Sequence, residues 1–307
     1  MSNDASSVLV DGPWEHRFVA ANGARFHVAV AGEGPLVLLL HGFPQFWYAW
    51  HHQLPALAEA GYQAVAVDLR GFGASDKPPK GYDTYTSTAD AAALVRSLGH
   101  ERAVVAGQGL GGWIAWSMPA LQPQVTAGVA ALSMPHPIVM QRAGWRNRAQ
   151  RRVSRYLLDL QWPFVAERRF SAEAGDREVH TLLSAWAGPG GPFPTDADVR
   201  RYAGAMALPF VAHSAAEYYR WIGRNQVRLD GPLFNRRVGE PIVVPVLHLQ
   251  GSADGCVLAP ATGGSQAFVR GRYTDVLVEG AGHFLAEQAP DRVTAAMLAW
   301  LGALSPA

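Results

Sequence analysis

The run Arg102-Ala103-Val104-Val105-Ala106-Gly107-Gln108-Gly109-Leu110-Gly111-Gly112 decides the fold. It reads as a short apolar strand, then a cluster of glycines, then a helical stretch that continues to about Leu121. Small residues two positions either side of Gly109 suit a strand-to-helix turn too tight for side chains at those points. Working outward, Pro35–His41, Tyr62–Asp68 and Val125–Leu132 are further apolar runs, as expected of strands buried on both faces. Helical stretches, Trp47–Ala60 and Thr84–Leu98, separate them, the second closed by Gly99. Asn22-Gly23, between Glu15–Ala20 and Arg25–Ala31, marks a hairpin. This alternation predicts an α/β fold with a mostly parallel sheet and helices on both faces. The rhythm stops after Pro137 and returns at Val243–Leu249, Thr274–Val278 and a closing helix from Asp291 to Leu301. The expected organisation is a core of residues 1–137 and 241–307, interrupted by a helical insertion over 138–240.

The composition fits an ordinary globular protein: of 307 residues 49% are hydrophobic and 17% charged, with net charge +1. That balance offers no bulk field for nucleic acid. Cys256 is the single cysteine, so an intrachain disulfide is excluded. No apolar run approaches the ~20 residues of a membrane helix, and the polar start, Met1 to Glu15, does not read as a signal peptide. The expected setting is the cytoplasm, as a monomer or homodimer without integral membrane contact. The insertion opens with Arg142, Arg146, Arg148, Arg151, Arg152 and Arg155, read as a solvated helix face. No metal site is apparent; His51 and His52, being adjacent, should diverge on a helix.

Five motifs follow one another, each at a strand end: His41-Gly42-Phe43-Pro44; Gly71-Phe72-Gly73-Ala74-Ser75; the turn at Gly109; Gly251-Ser252-Ala253-Asp254; and Gly280-Ala281-Gly282-His283-Phe284. Turn, acid and base stand in the order used by hydrolases with a nucleophile elbow. Gly107, Gly109 and Gly112 also fit a dinucleotide-loop spacing. That rival needs an early βαβ opening and an acidic residue closing the next strand, and neither is present. No cofactor is expected.

On these motifs the chain resembles the epoxide hydrolase branch of the α/β-hydrolase superfamily over almost its whole length. The resemblance implies an eight-stranded sheet with a helical cap inserted after strand 6. It implies His283 as the base, oriented by Asp254. It makes Tyr156 and Tyr219 the cap phenols that hold the epoxide oxygen and give it a proton, with Tyr218 the fallback for Tyr219. The backbone N–H groups of Phe43 and Leu110 would form the oxyanion hole. Trp47 and Phe284, beside motif residues, are expected to line a pocket for a small lipophilic molecule. Relatives that cleave carbon–halogen bonds usually place Asn and Trp where this chain has Phe43 and Leu110.

The chain departs from the pattern at Gly109. The family pattern calls for Asp at this apex, and esterase relatives for Ser. Glycine cannot attack, but it takes a positive φ without strain and leaves a void large enough for a water if polar groups line it. Three readings follow. His283 activates a water directly, or the pocket binds a ligand without turnover, as receptor-like relatives do, or another residue attacks: Asp68, Ser133 or Cys256.

Overall fold

Leu36–Leu40 is built from Leu and Val alone, and Ala103–Gln108 is apolar up to its last residue; both are buried along their whole length. Such strands need cover on both faces. They lie side by side at the centre of an eight-stranded sheet in a computed structural model describing residues 5–304 other than 172, 190 and 230.

The strands are β1 (Glu15–Ala21), β2 (Ala24–Ala31), β3 (Leu36–Leu40), β4 (Gln63–Val67), β5 (Ala103–Gln108), β6 (Thr126–Leu132), β7 (Val246–Gly251) and β8 (Tyr273–Val278). Their order is β1-β2-β4-β3-β5-β6-β7-β8. β1 and β2 form an antiparallel hairpin and β2 pairs antiparallel with β4; every other pairing is parallel. Asn22 and Gly23 both have positive φ at the hairpin tip, as the Asn-Gly pair requires. Helices α1 (Gln53–Glu59), α2 (Thr84–Ser97) and α3 (Leu110–Leu121) come from the first half of the chain. Between β6 and β7 the named elements among the described residues are all helices: α4 (Pro137–Arg146), α5 (Arg148–Val153), α6 (Tyr156–Asp159), α7 (Val165–Arg169), α8 (Gly175–Ala187), α9 (Asp196–Met206), α10 (Val211–Asn225) and α11 (Gly231–Val238). Short α12 (Leu285–Gln288) and α13 (Pro290–Gly302) close the fold.

The parallel register fixes where chemistry can occur. Leu40 pairs with Gly107, Gln108 with Leu132, and Gly251 with Val278. The carboxyl ends of β3, β5, β7 and β8 therefore finish at one edge, where open α/β sheets place their ligands.

Several expectations need correction. The helix expected over Trp47–Ala60 is two pieces, a 3₁₀ turn (Trp47–Trp50) and α1, joined at His51-His52. The His51 and His52 rings do not diverge; because they sit at that joint, they pack 3.8 Å apart between centroids. β7 starts at Val246 rather than Val243, because the preceding residues leave the sheet and Ile242 makes only an isolated bridge to Val269. Trp145, Trp162 and Phe164, in the segment between β6 and β7, are exposed. The six arginines there are all exposed, as expected.

Candidate active site

The turn between β5 and α3 is shaped by its glycines. A Cβ on Gly107 would sit 2.1 Å from the Gly111 carbonyl oxygen, so no other residue fits there. Gly109, at the apex, has φ +53° and ψ −113°, in the left-handed range that favours glycine. Its N–H donates to the Leu132 carbonyl (3.0 Å), its carbonyl accepts from the Trp113 N–H (3.0 Å), and the Gly111 N–H reaches the His41 carbonyl (3.1 Å). The Leu110 N–H starts α3 and belongs to the amides a helix cannot satisfy itself. Among the described residues neither it nor the Phe43 N–H, just past β3, has a protein acceptor.

His283 follows β8 and Asp254 follows β7. The His283 Nδ1–H donates to Asp254 Oδ2 at 2.9 Å, with Oδ1 at 3.2 Å. The carboxylate is held from three further sides: Gln250 Nε2 donates to Oδ2 (3.0 Å), and the Cys256 and Val257 N–H groups donate to Oδ1 (2.8 Å each). Four bonds to one buried carboxylate hold it in place and fix the imidazole with its other nitrogen outward. That nitrogen, His283 Nε2, lies 3.1 Å from the point a Cβ on Gly109 would occupy. It has no partner among the described residues, although His283 is only 4% exposed.

Gly109, Leu110 and His283 line a cavity of about 50 Å³ together with Tyr156, Tyr219 and Cys256. The Tyr156 and Tyr219 rings face each other edge-on, 6.1 Å apart. Burial, aided by Cys256, holds both phenols well above the ordinary tyrosine range, so both remain proton donors. The Tyr156 hydroxyl lies 3.6 Å from Cys256 Sγ. Burial also pushes the Cys256 thiol up, which keeps it neutral.

Comparison with known proteins gives the family. The alpha/beta hydrolase fold family matches residues 35–290. Epoxide hydrolase A of Mycobacterium tuberculosis is 34% identical over 94% of this chain and 97% of its own length. The chain belongs to the α/β-hydrolase family, in its epoxide hydrolase branch. Epoxide hydrolase 4 of Mus musculus is 31% identical over 91% of this chain and 77% of its own. Among solved structures, epoxide hydrolase A from Mycobacterium thermoresistibile superposes with a TM-score of 0.80 at 29% identity, covering 96% of this chain and 100% of that one.

In this chain the expected site residues do not all converge. Gly109, Leu110, Tyr156, Tyr219 and His283 meet at the cavity, with Asp254 behind His283 and Phe43 packed on the Tyr219 ring (5.6 Å). Tyr218 points elsewhere, its hydroxyl donating to the Arg70 carbonyl at 2.9 Å. Trp47 is not at the cavity. Its Nε1–H donates to the Val8 carbonyl (2.8 Å) and its ring packs on Trp14, His16 and His27, because the N-terminal segment folds over it. Phe284 is one layer removed, stacked at 6.1 Å on Trp186, which does line the cavity. Asp68 is consumed by the fold, accepting from His27 and from the Trp47 and Ala74 N–H groups. Ser133 is buried and does not line the cavity.

Sequence reasoning missed two contributions. The Trp186 carbonyl accepts from both the His283 N–H (2.9 Å) and the Gly255 N–H (3.2 Å), clamping the base loop to the acid loop. Gln108, beside the apex, donates to Gln45 (2.9 Å), which in turn donates to buried Glu287; the Tyr202 hydroxyl donates to the same carboxyl at 2.5 Å. Burial raises Glu287 well above the usual carboxylate range. Neither arrangement has a local motif.

Among the described residues no helix is long and apolar enough to cross a membrane, and no group of His, Cys, Asp and Glu could hold a metal.

Proposed function

We propose that this chain hydrolyses a small lipophilic epoxide by direct attack of water. His283, held by Asp254, takes a proton from a water in the space beside Gly109, while Tyr156 and Tyr219 donate to the opening ring oxygen. No covalent ester forms, because the apex has no side chain to form one. The helices between β6 and β7, the segment 138–240, act as the lid that supplies both phenols. One observation carries this reading: an oriented, buried imidazole presents an unpartnered nitrogen to a cavity that two neutral phenols also line. Geometry of that kind supports general acid–base catalysis, typically worth ~10²–10⁴ in rate per group.

The cavity of about 50 Å³ exceeds the ~10–15 Å³ that a single water needs, so there is room for the attacking water beside Gly109.

The test is diol formation from styrene oxide by the purified protein. Diol that disappears in His283→Ala supports hydrolysis. The bare apex favours a second reading, a ligand-binding protein without turnover; saturable epoxide binding with no product at any pH would replace the first reading with the second.

A further inference from the structure

Charge is divided unevenly between the two parts of the chain. Residues 138–240 hold 16 arginines, no lysine and 10 Asp or Glu, a charge of +6 in a chain whose net charge is +1. The remainder therefore carries −5. The excess is concentrated at the start, where residues 138–155 include six arginines and no carboxylate. All six are exposed, and among the described residues none forms an ion pair with Asp or Glu. Helix α4 divides this segment into two sides. Val139 and Ala143 are buried, and Met140 lines the cavity beside Gly109. At ~100° per residue, Arg142, Trp145 and Arg146 fall on the opposite side. There they line an open groove of about 620 Å³ whose other wall is α11, with Pro232 and Arg236. The same rim is apolar where water would be expected. Trp145 is 63% exposed, its Nε1–H donating to Gln226 Oε1 (2.7 Å). Val227, next to Gln226, and Leu233, next to Pro232, are also mostly exposed, and Leu229 between them is fully exposed. Guanidinium groups ringing exposed Trp and aliphatic side chains make a surface suited to an anionic interface.

We propose that this outer face of the lid, formed by α4, α11 and the chain between α10 and α11, docks on a membrane surface rich in anionic phospholipid. Arg142, Arg146 and Arg236 pair with lipid phosphates, for which the planar guanidinium is suited. Trp145, Val227, Leu229 and Leu233 enter the boundary between headgroups and acyl chains, where their apolar area leaves water. Charge complementarity selects this occupant. A second copy of the chain docked face to face would bring like charges together. A nucleic acid would meet the arginines but leave the aliphatic side chains uncovered. The lipid surface satisfies both. Docking also places the lid between bilayer and cavity, because Met140 of α4 and Ile222 of α10 line that cavity from within. A lipophilic molecule dissolved in the bilayer would then meet the protein on the lid side. The docking itself does not depend on the epoxide chemistry and is tested apart from it.

The experiment mixes the full chain with extruded vesicles, either phosphatidylcholine alone or equal parts phosphatidylcholine and phosphatidylglycerol, and separates bound protein by flotation. Wild-type protein should float with the mixed vesicles at low salt, stay behind with the neutral ones, and be released as sodium chloride screens the attraction. The Arg142→Gln, Arg146→Gln, Arg236→Gln variant should bind the mixed vesicles roughly 100-fold more weakly, about 5-fold per guanidinium. Trp145→Ala with Leu233→Ala should weaken binding roughly 10-fold through lost apolar contact. Arg96→Gln, also exposed but at the C-terminal end of α2, should bind as wild type does. All these side chains are exposed, and the comparison of lipids and salt on wild-type protein gives the same test should a variant misfold. Any of four results would overturn the proposal: no flotation with mixed vesicles at low salt, equal flotation with neutral ones, full binding by the triple variant, or equal weakening by Arg96→Gln. So would release by inorganic phosphate beyond that by chloride at equal ionic strength, which would assign the groove to a free phosphate. A lipid-free dimer abolished by Trp145→Ala would assign the face to a second copy instead. Diol formation from styrene oxide in lipid-free buffer reads the epoxide chemistry separately.

Discussion

Replacing Gly109 by Asp perturbs this site most informatively, because the structure fixes both its cost and its gain. The backbone at 109 has φ +53° and ψ −113°, a conformation that costs a non-glycine residue about 1–3 kcal/mol. The new Cβ would also stand 3.1 Å from His283 Nε2, so the imidazole must withdraw by a few tenths of an ångström. Denaturant unfolding should therefore show a loss of about 1–3 kcal/mol with an unchanged slope. Against that, the carboxylate would lie beside the Phe43 and Leu110 amides, with His283 ready to activate water against an ester. Supplying an absent nucleophile to an otherwise complete site should raise styrene oxide turnover by ~10⁴ or more. The assay is chiral chromatography of the diol under initial-rate conditions, with circular dichroism to confirm folding. A folded Gly109→Asp protein no faster than the parent would refute the assignment of residue 109 as the place where attack originates.

Asp254→Asn should lower turnover by ~10²–10⁴, since an amide cannot accept simultaneously from His283, Gln250 and the Cys256 and Val257 amides; kcat should fall more than KM rises. The Tyr156→Phe, Tyr219→Phe pair should slow ring opening by ~10² or more while leaving the unfolding midpoint nearly unchanged, as a stopped-flow assay and a melt would show. Stability should fall as pH drops from about 6.5 towards 4. Burial, opposed in part by neighbouring charge or backbone hydrogen bonding, lowers both His41 and His136 to about 4. In each ring one nitrogen already accepts a backbone N–H, from Leu69 and Ile138 respectively, so a second proton has no place. The unfolded chain binds those protons first, so each group contributes roughly 3 kcal/mol above pH 6.5 that is lost by pH 4. Urea titrations at intervals across that range, in wild type and His136→Gln, would read the slope; a flat profile would contradict it.

Much of this architecture was legible because it is local. β3 and β5 announce themselves as apolar runs of strand length, and Asn22-Gly23 fixes a hairpin by backbone conformation alone. The turn at Gly109 was visible because close approach leaves no room for a side chain at Gly107. Asp254 and His283 were legible through their place after strands and their order along the chain. What the sequence did not disclose is non-local. Trp47 stands next to a motif residue but packs beneath the N-terminal segment, a contact no spacing rule encodes. Trp186 reaches the base loop through its carbonyl, and a backbone oxygen carries no residue signature. The exposed Trp145 and Trp162 defeat a burial preference that holds for tryptophan in general. The break at His51-His52 needed knowledge of how the chain turns, which helical periodicity lacks.

The origin of the oxygen added to the epoxide tests the central claim most directly. In a single turnover with protein in excess over styrene oxide, in H₂¹⁸O buffer free of carboxylates, attack by water beside Gly109 predicts that all diol formed carries ¹⁸O. Diol bearing unlabelled oxygen from the protein, or a mass adduct on any side chain, would contradict it.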